Sequence, residues 1–272
     1  MNQGNHREFY VGWQDEMPKA TGKFLTRFVA VLSVLLLVLV IMVVIQQKPY
    51  NDHQFEFGQT KLITGTYHHM PVPMLVADDG MLPDFASGAI LLVGYGKWGA
   101  EGIMAHIEAE QGELNGRRIT LRGTLIHGDG KTLMELTGKE DPFVEILGDS
   151  TLEVAPTQSS KLISLVGEIL DPKCYFGVMK PGEGKVHKSC AIRCISGGIP
   201  PVLGAPNAHE PGMRSYYILL DKEGNKINQK ILPYVAIDLQ VTGETHRSQG
   251  WDFLYLDIED IQAIDKVSDD TN

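Results

Sequence analysis

The sequence predicts a mainly β protein: one N-terminal transmembrane helix followed by two small β-barrel modules. Three observations carry this expectation. Residues 28 to 45 form an uninterrupted apolar run. The rest of the chain breaks into short alternating apolar stretches separated by glycine-rich turns. Those stretches also occur twice, in the same order. With 29 glycines and 14 prolines in 272 residues, turns and short strands are favoured over long helices. The alternative architecture is a single β-sandwich.

The apolar run reads FVAVLSVLLLVLVIMVVI, with Ser33 its one polar residue and no charge. As a helix it spans roughly 27 Å, close to the hydrocarbon thickness of a bilayer. A buried core helix would show a polar face over this length. A cleaved signal peptide would have a shorter apolar region followed by small residues, whereas Ile45 is followed by QQKPYND. The run therefore reads as an uncleaved signal anchor, making the chain a single-pass integral membrane protein. Arg7, Lys19, Lys23 and Arg27 precede it, so the positive-inside rule puts residues 1–27 in the cytoplasm. The C-terminal part then faces the periplasm, and the expected location is a bacterial inner membrane.

The outer part is acidic. Setting Glu8, Asp15, Glu16 and the four bases just named aside from 34 acids and 24 bases leaves 31 and 20, a net of −11. Such a surface repels phosphate backbones and argues against nucleic acid as a partner.

The expected organisation is a tail (1–27), the anchor (28–45), a tether (46–61), a first β module (62–148), a linker (149–161), a second β module (162–265) and a disordered tail (266–272). In the first module, GAILLVGYGKWG (88–99) reads as a strand ending in a glycine-rich turn. LNGRRITLRGTLIHGDGKTLMEL (114–136) reads as a hairpin turning at His127–Gly130. In the second, LISLVGEIL is a strand, SYYILLDKEGNKI turns at Asp221–Asn225, and residues 235–264 form a long pair turning at His246–Gly250. The sequence around Gly65 echoes that around Gly167, and the sequence around Gly123 echoes that around Gly243. The alternating strands late in each unit resemble the closing strands of an OB-like barrel. That resemblance implies a fold and no function.

All three cysteines lie in one segment, DPKCYFGVMKPGEGKVHKSCAIRCISGGIPP (171–201). Residues 185–196 can form a helix capped by Gly197-Gly198 and ended by Pro200-Pro201. His187, Cys190 and Cys194 would then share one helix face, at i, i+3 and i+7. Cys174 arrives from the end of the preceding strand, so a tetrahedral Cys3His set for zinc or another transition metal can be assembled. Outside the cytoplasm the same cysteines have a second reading: Cys174 paired with Cys190 or Cys194 in a disulfide, leaving one free thiol. Thiol redox chemistry ranks lower, because the spacing is C-x-x-x-C rather than C-x-x-C. No C-x-x-C-H for covalent haem occurs.

Residues 165–203 are similar to a segment of uncharacterised exported bacterial proteins. These share Gly-x-Ile-x-Asp-x-x-Cys, then a histidine, then Cys-x-x-x-Cys and paired glycines. The resemblance implies no known activity; it implies that Cys174, His187, Cys190 and Cys194 form one site. In layout, an anchor plus an OB-like periplasmic body, the chain is similar to the haem chaperone of cytochrome c maturation. That family's haem-attaching histidine motif is not evident here, which leaves haem a minor option.

Other candidates read more plainly. His68-His69 with Met70 and Met74 is a soft-metal pattern for copper, but also two turn histidines beside apolar packing residues. His127 and His246 read as solvated turn residues, and His209 as a residue of a proline-rich loop that could serve as a spare ligand. Asp257, Glu259 and Asp260 scatter over both faces of a strand. No hydrolase, zincin, P-loop or dinucleotide fingerprint appears, and the glycines of GYGKWG lack a strand-to-helix setting. The expected function is therefore non-enzymatic: a membrane-anchored periplasmic accessory protein with a Cys3His metal site, in metal handling or envelope complex assembly. The alternative is a disulfide-stapled protein–protein interaction module for an envelope partner.

Overall fold

A computed structural model describes residues 18–47, 53–82, 88–149, 160–207, 210 and 212–264. The chain divides into two compact units, 1–50 and 51–272. The first contains helix α1, Lys19–Gln46, none of whose residues is buried. Its 28 residues span about 42 Å, and it is long and apolar enough to cross a membrane.

The second unit opens with β1 (Gln54–Phe55) and then builds a barrel. Its strands are β2 (Lys61–His68), β3 (Met74–Ala77), β4 (Ala89–Val93), β5 (Arg117–Gly128) and β6 (Lys131–Leu136). They pair in the order β2-β3-β4-β6-β5, and β5 closes back on β2. Only β4–β6 is parallel. Helix α2 (Glu101–Gln111) connects β4 to β5, while β1 and β7 (Phe143–Asp149) flank β5.

A second barrel repeats the plan with β8 (Lys161–Leu170), β9 (Val202–Pro206), β10 (Arg214–Leu220), β11 (Asp238–Ser248) and β12 (Trp251–Tyr255). Their order is β8-β9-β10-β12-β11, closing on β8, again with one parallel pair, β10–β12. Helix α3 (Lys188–Ser196) lies between β8 and β9. The short α4 (Asn228–Ile231) lies between β10 and β11, and β13 (Ile261–Ala263) extends β11. The architecture is thus two closed, OB-like barrels rather than one sandwich.

The echoed glycines explain how each barrel closes. Gly65 and Gly167 lie in the first strand of each barrel, Gly123 and Gly243 in the fourth. A Cβ at any of them would come under 3.0 Å from a carbonyl oxygen of the adjoining strand, on Val76, Gly204, Glu135 and Tyr255 respectively. Small barrels need such points of close backbone approach to bend strands through a corner. The hairpin turns also match, with positive φ at Asp129-Gly130 and at Gln249-Gly250. Two successive residues of positive φ suit the twist of a two-residue hairpin.

Each barrel has its own interior. Ile90 and Leu92 point into the first, Leu203, Leu219 and Leu254 into the second. The alternate residues point the other way and form a third core between the barrels. Ala89, Leu91 and Val93 of β4 meet Ile218 and Leu220 of β10 and Trp251 and Phe253 of β12 in one cluster. This is why β4 and β10 read as near-continuous apolar runs: both their faces are buried.

Three expectations need correction. The glycine-rich turn after β4 does lead into a helix. Ala100, Met104 and Ile107 are buried against the first barrel's interior, and this helical spacing was hidden among Glu, Gln and His. The return after Asp221–Asn225 makes a single bridge, Leu220↔Lys226, and then enters α4 instead of a strand. His127 is not a solvated turn residue. It is buried, its Nε2 lies 3.0 Å from Glu56 Oε1, and β1 pairs alongside it. The expected linker lies, for residues 150–159, outside the described residues.

The glycine reading makes a paired prediction. Gly167→Val should destabilise the full chain by at least ~2 kcal/mol, because the new side chain must displace β9 backbone. Gly102→Ala, in α2 with nothing within 4 Å of its Cβ position, should stabilise by about 0.5–1 kcal/mol. Thermal unfolding followed by circular dichroism gives both signs. Equal tolerance at the two positions would contradict the closure argument.

Candidate metal centre

The site begins where β8 ends. Asp171 Oδ1 accepts from the backbone N–H of Lys173 (3.0 Å) and of Cys174 (3.4 Å), while Pro172 occupies the first helical position. This is the chemistry of a helix start. The turn continues as a single π-helical segment, Cys174–Val178, closed by Met179 N–H donating to the Cys174 carbonyl at 3.1 Å. Isolated π turns recur at functional sites because they re-aim one side chain out of register. Here they aim Cys174.

The other three residues come from α3. The helix starts at Lys188, so His187 is its N-cap and Cys190 lies in its first turn. Gly197 and Gly198 end it, with Gly197 N–H donating to Arg193 O and Gly198 at φ 102°. The expected cap is present, and the expected helix is three residues shorter at its start.

The four expected residues come together. Donor atoms of Cys174, His187 and Cys190 lie within 4.8 Å of one another. A second group, Asp171, Cys174 and Cys194, meets the same limit, so Cys174 belongs to both. The three cysteines are free thiols. Cys174 Sγ lies 3.9 Å from Cys190 Sγ. Two sulfurs bound to one tetrahedral ion at about 2.3 Å would sit roughly 3.8 Å apart, so the spacing fits a metal.

Two buried polar atoms in this cluster have no hydrogen-bond partner. They are His187 Nε2, in a residue 4% exposed, and Asp171 Oδ2, in a residue 0% exposed. Buried polar atoms are otherwise nearly always satisfied. An unpaired imidazole nitrogen beside two thiols is available to a metal ion. Burial also pushes the His187 pKa down, which favours the neutral imidazole that binds metals. The Cys174 thiol is pushed far up, by its hydrogen bond to Cys194, by burial and by the neighbouring Asp171. Deprotonating that thiol calls for a cation.

The sequence reading missed two participants. Asp171 stands in the D-x-x-C spacing that ends in Cys174, a signal available beforehand. Lys97 was less visible. Its Nζ lies 2.9 Å from Cys190 Sγ and 3.9 Å from Cys194 Sγ, and the Cys190 sulfur raises its pKa. Lys97 comes from the first barrel, on the GYGKWG loop. That loop reaches the site because its glycines meet those of α3 backbone to backbone. Gly99 N–H donates to Gly197 O at 3.0 Å, and a Cβ on Gly99 would collide with Gly198. Lys173 holds the same loop from beneath: its buried ammonium donates to Gly94 O (2.8 Å) and Gly96 O (2.6 Å) and pairs with Glu135.

Among the described residues, the other histidines singled out in the sequence lie elsewhere. His69 faces Glu108 at 3.9 Å and the Tyr67 hydroxyl at 3.4 Å, with His68 half-buried beside it. His246 is half-buried against the Tyr255 ring. His209 lies outside the described residues.

This geometry ranks the thiols. In the reduced, metal-free chain at neutral pH, iodoacetamide should label Cys190 first, since it is half-exposed and beside an ammonium. Cys174 should be labelled last. Mass mapping of alkylated peptides reads the order, and uniform labelling would show that the thiols are not packed as described. Compared with protein-family models, curated proteins and solved structures, the chain matches none.

Proposed function

We propose that this chain is a membrane-anchored accessory protein whose second barrel binds a transition metal, zinc by donor chemistry, through Cys174, His187, Cys190 and Cys194. Its role is metal handling or assembly of an envelope complex. The observation that carries the reading is the buried, unpartnered Nε2 of His187 in a residue grouped with two thiols. A disulfide staple would use the cysteines but give that nitrogen nothing to do. Thiolate, imidazole and carboxylate are all zinc donors. The orientation rests on charge: Arg7, Lys19, Lys23 and Arg27 lie at or before the N-terminal end of the apolar run, so the barrels belong on the outer side of the membrane and the partner is an envelope protein.

Two experiments test this reading. Full-length chain purified under reducing conditions should carry metal by elemental analysis, and His187→Ala should lower occupancy as Cys190→Ala does, roughly 10-fold or more in affinity. A metal-free protein with Cys174 in a disulfide, indifferent to His187, would leave the interaction-module reading standing in its place. For orientation, a reporter that works only outside the cytoplasm should be active when fused after Asn272. Full activity of a cytoplasmic reporter there would reverse the topology.

A further inference from the structure

We infer that the centre holds two metal ions, with the Cys174 thiolate shared between them. The inference rests on the metal reading above and goes beyond its single Cys3His site. The donors divide into two trios with one member in common: Cys174, His187 and Cys190 on one side, Asp171, Cys174 and Cys194 on the other. One tetrahedral ion uses four donors around a single point. Five donors in two groups that overlap at one sulfur describe two points.

Asp171 supplies the independent observation. Its carboxylate is 0% exposed; Oδ1 is taken by the backbone of its own turn, and Oδ2 has no partner. A single ion on Cys174, His187 and Cys190 would leave that oxygen buried without a partner, and the Cys194 sulfur with only the Lys97 ammonium at 3.9 Å. The nearby ammonium groups are committed otherwise, Lys173 to Glu135 and two carbonyls, Lys97 to the sulfurs of Cys190 and Cys194. Burying uncompensated charge costs several kcal/mol per ion. With both ions bound, three thiolates and one carboxylate match the charge of two divalent cations.

The arrangement also gives each ion three protein donors, the shared sulfur included. A fourth position is left for water or an incoming ligand, as in zinc sites that exchange or react rather than in closed structural sites. A pair of open, thiolate-bridged positions suits a protein that accepts and passes on metal.

The test uses the full-length chain in detergent, stripped of metal and reduced, then titrated with zinc alone and with cobalt(II) alone. Wild type should bind about two equivalents of zinc, and Asp171→Asn, Cys194→Ala and His187→Ala should each retain about one, while Cys174→Ala loses most of both. Asn keeps the Oδ1 acceptor that caps the turn, so Asp171→Asn should fold as wild type does by circular dichroism. Cobalt(II) adds a readout independent of counting. A thiolate bridge couples the two ions magnetically, and the coupling should vanish in Asp171→Asn. One equivalent in wild type, unchanged in Asp171→Asn and without coupling, overturns the two-ion inference and leaves the single site intact. No metal in any form overturns the metal reading itself.

Discussion

The apolar packing of the two barrels against one another is the constraint on which the rest depends. Neither β4 nor β10 could stand alone as half of a small barrel. Leu91 and Val93 on one, Ile218 and Leu220 on the other, would present contiguous apolar faces to water. Packed together, these faces make a third core whose apolar side chains are as buried as those of the two interiors. The contacts around it are reciprocal. The Asp129 turn of the first barrel receives the Tyr216 hydroxyl from β10, and the Gln249 turn of the second accepts the Ala89 N–H from β4 at 2.7 Å. Trp251 adds its indole N–H to the Ala89 carbonyl at 2.8 Å. Equivalent elements of the two repeats thus meet each other, as in an isologous interface folded into one chain.

That packing decides where chemistry can occur. In OB-like barrels the outer face of the second and third strands is the usual place for a ligand. Here β3-β4 and β9-β10 spend that face on each other. What stays open is the rim, where the GYGKWG loop of one barrel crosses the α3 terminus of the other. Both sides contribute: the second barrel brings the sulfurs, the histidine and Asp171, and the first brings Lys97. The glycines are the physical reason, since a side chain at Gly99 or Gly197 would hold the loop away from the helix and Lys97 away from Cys190.

What the sequence disclosed follows from the range of the interactions involved. The apolar N-terminal helix, the hairpins and the α3 cap depend on residues within a few positions of each other, so periodicity and turn chemistry reveal them. The barrel repeat was legible for a subtler reason: closure demands glycine at matching places, and Gly65 with Gly167 and Gly123 with Gly243 kept that mark. The clustering of Cys174, His187, Cys190 and Cys194 was legible because one strand end and one helix with its N-cap carry them all. Lys97 was not, because 93 residues separate it from Cys190 and a lone lysine in a glycine loop has many uses. Helix α2 was missed because Met104 and Ile107 make a narrow apolar stripe, and the preceding glycines drew attention to a turn. His127 was misjudged because the Glu56 that covers it comes from outside the module's expected boundary.

Lys173 shows how closely fold and site are joined. An ammonium 1% exposed is tolerated only with full compensation, and it obtains this from Glu135 and two carbonyls of the first barrel. Yet the residue beside it is Cys174, and the residue two before it is Asp171. The turn that aims the central sulfur is therefore fixed at one end by β8 and locked from below by the opposite barrel. A change in how the barrels meet would pull on Lys173 and so re-aim Cys174. The reverse follows from the proposed centre: a metal held at Cys174 would tie β8, α3 and that turn together, and through Lys173 and Lys97 it would tighten the seam between the barrels. On the proposed reading, metal content and inter-barrel packing would be two expressions of one equilibrium.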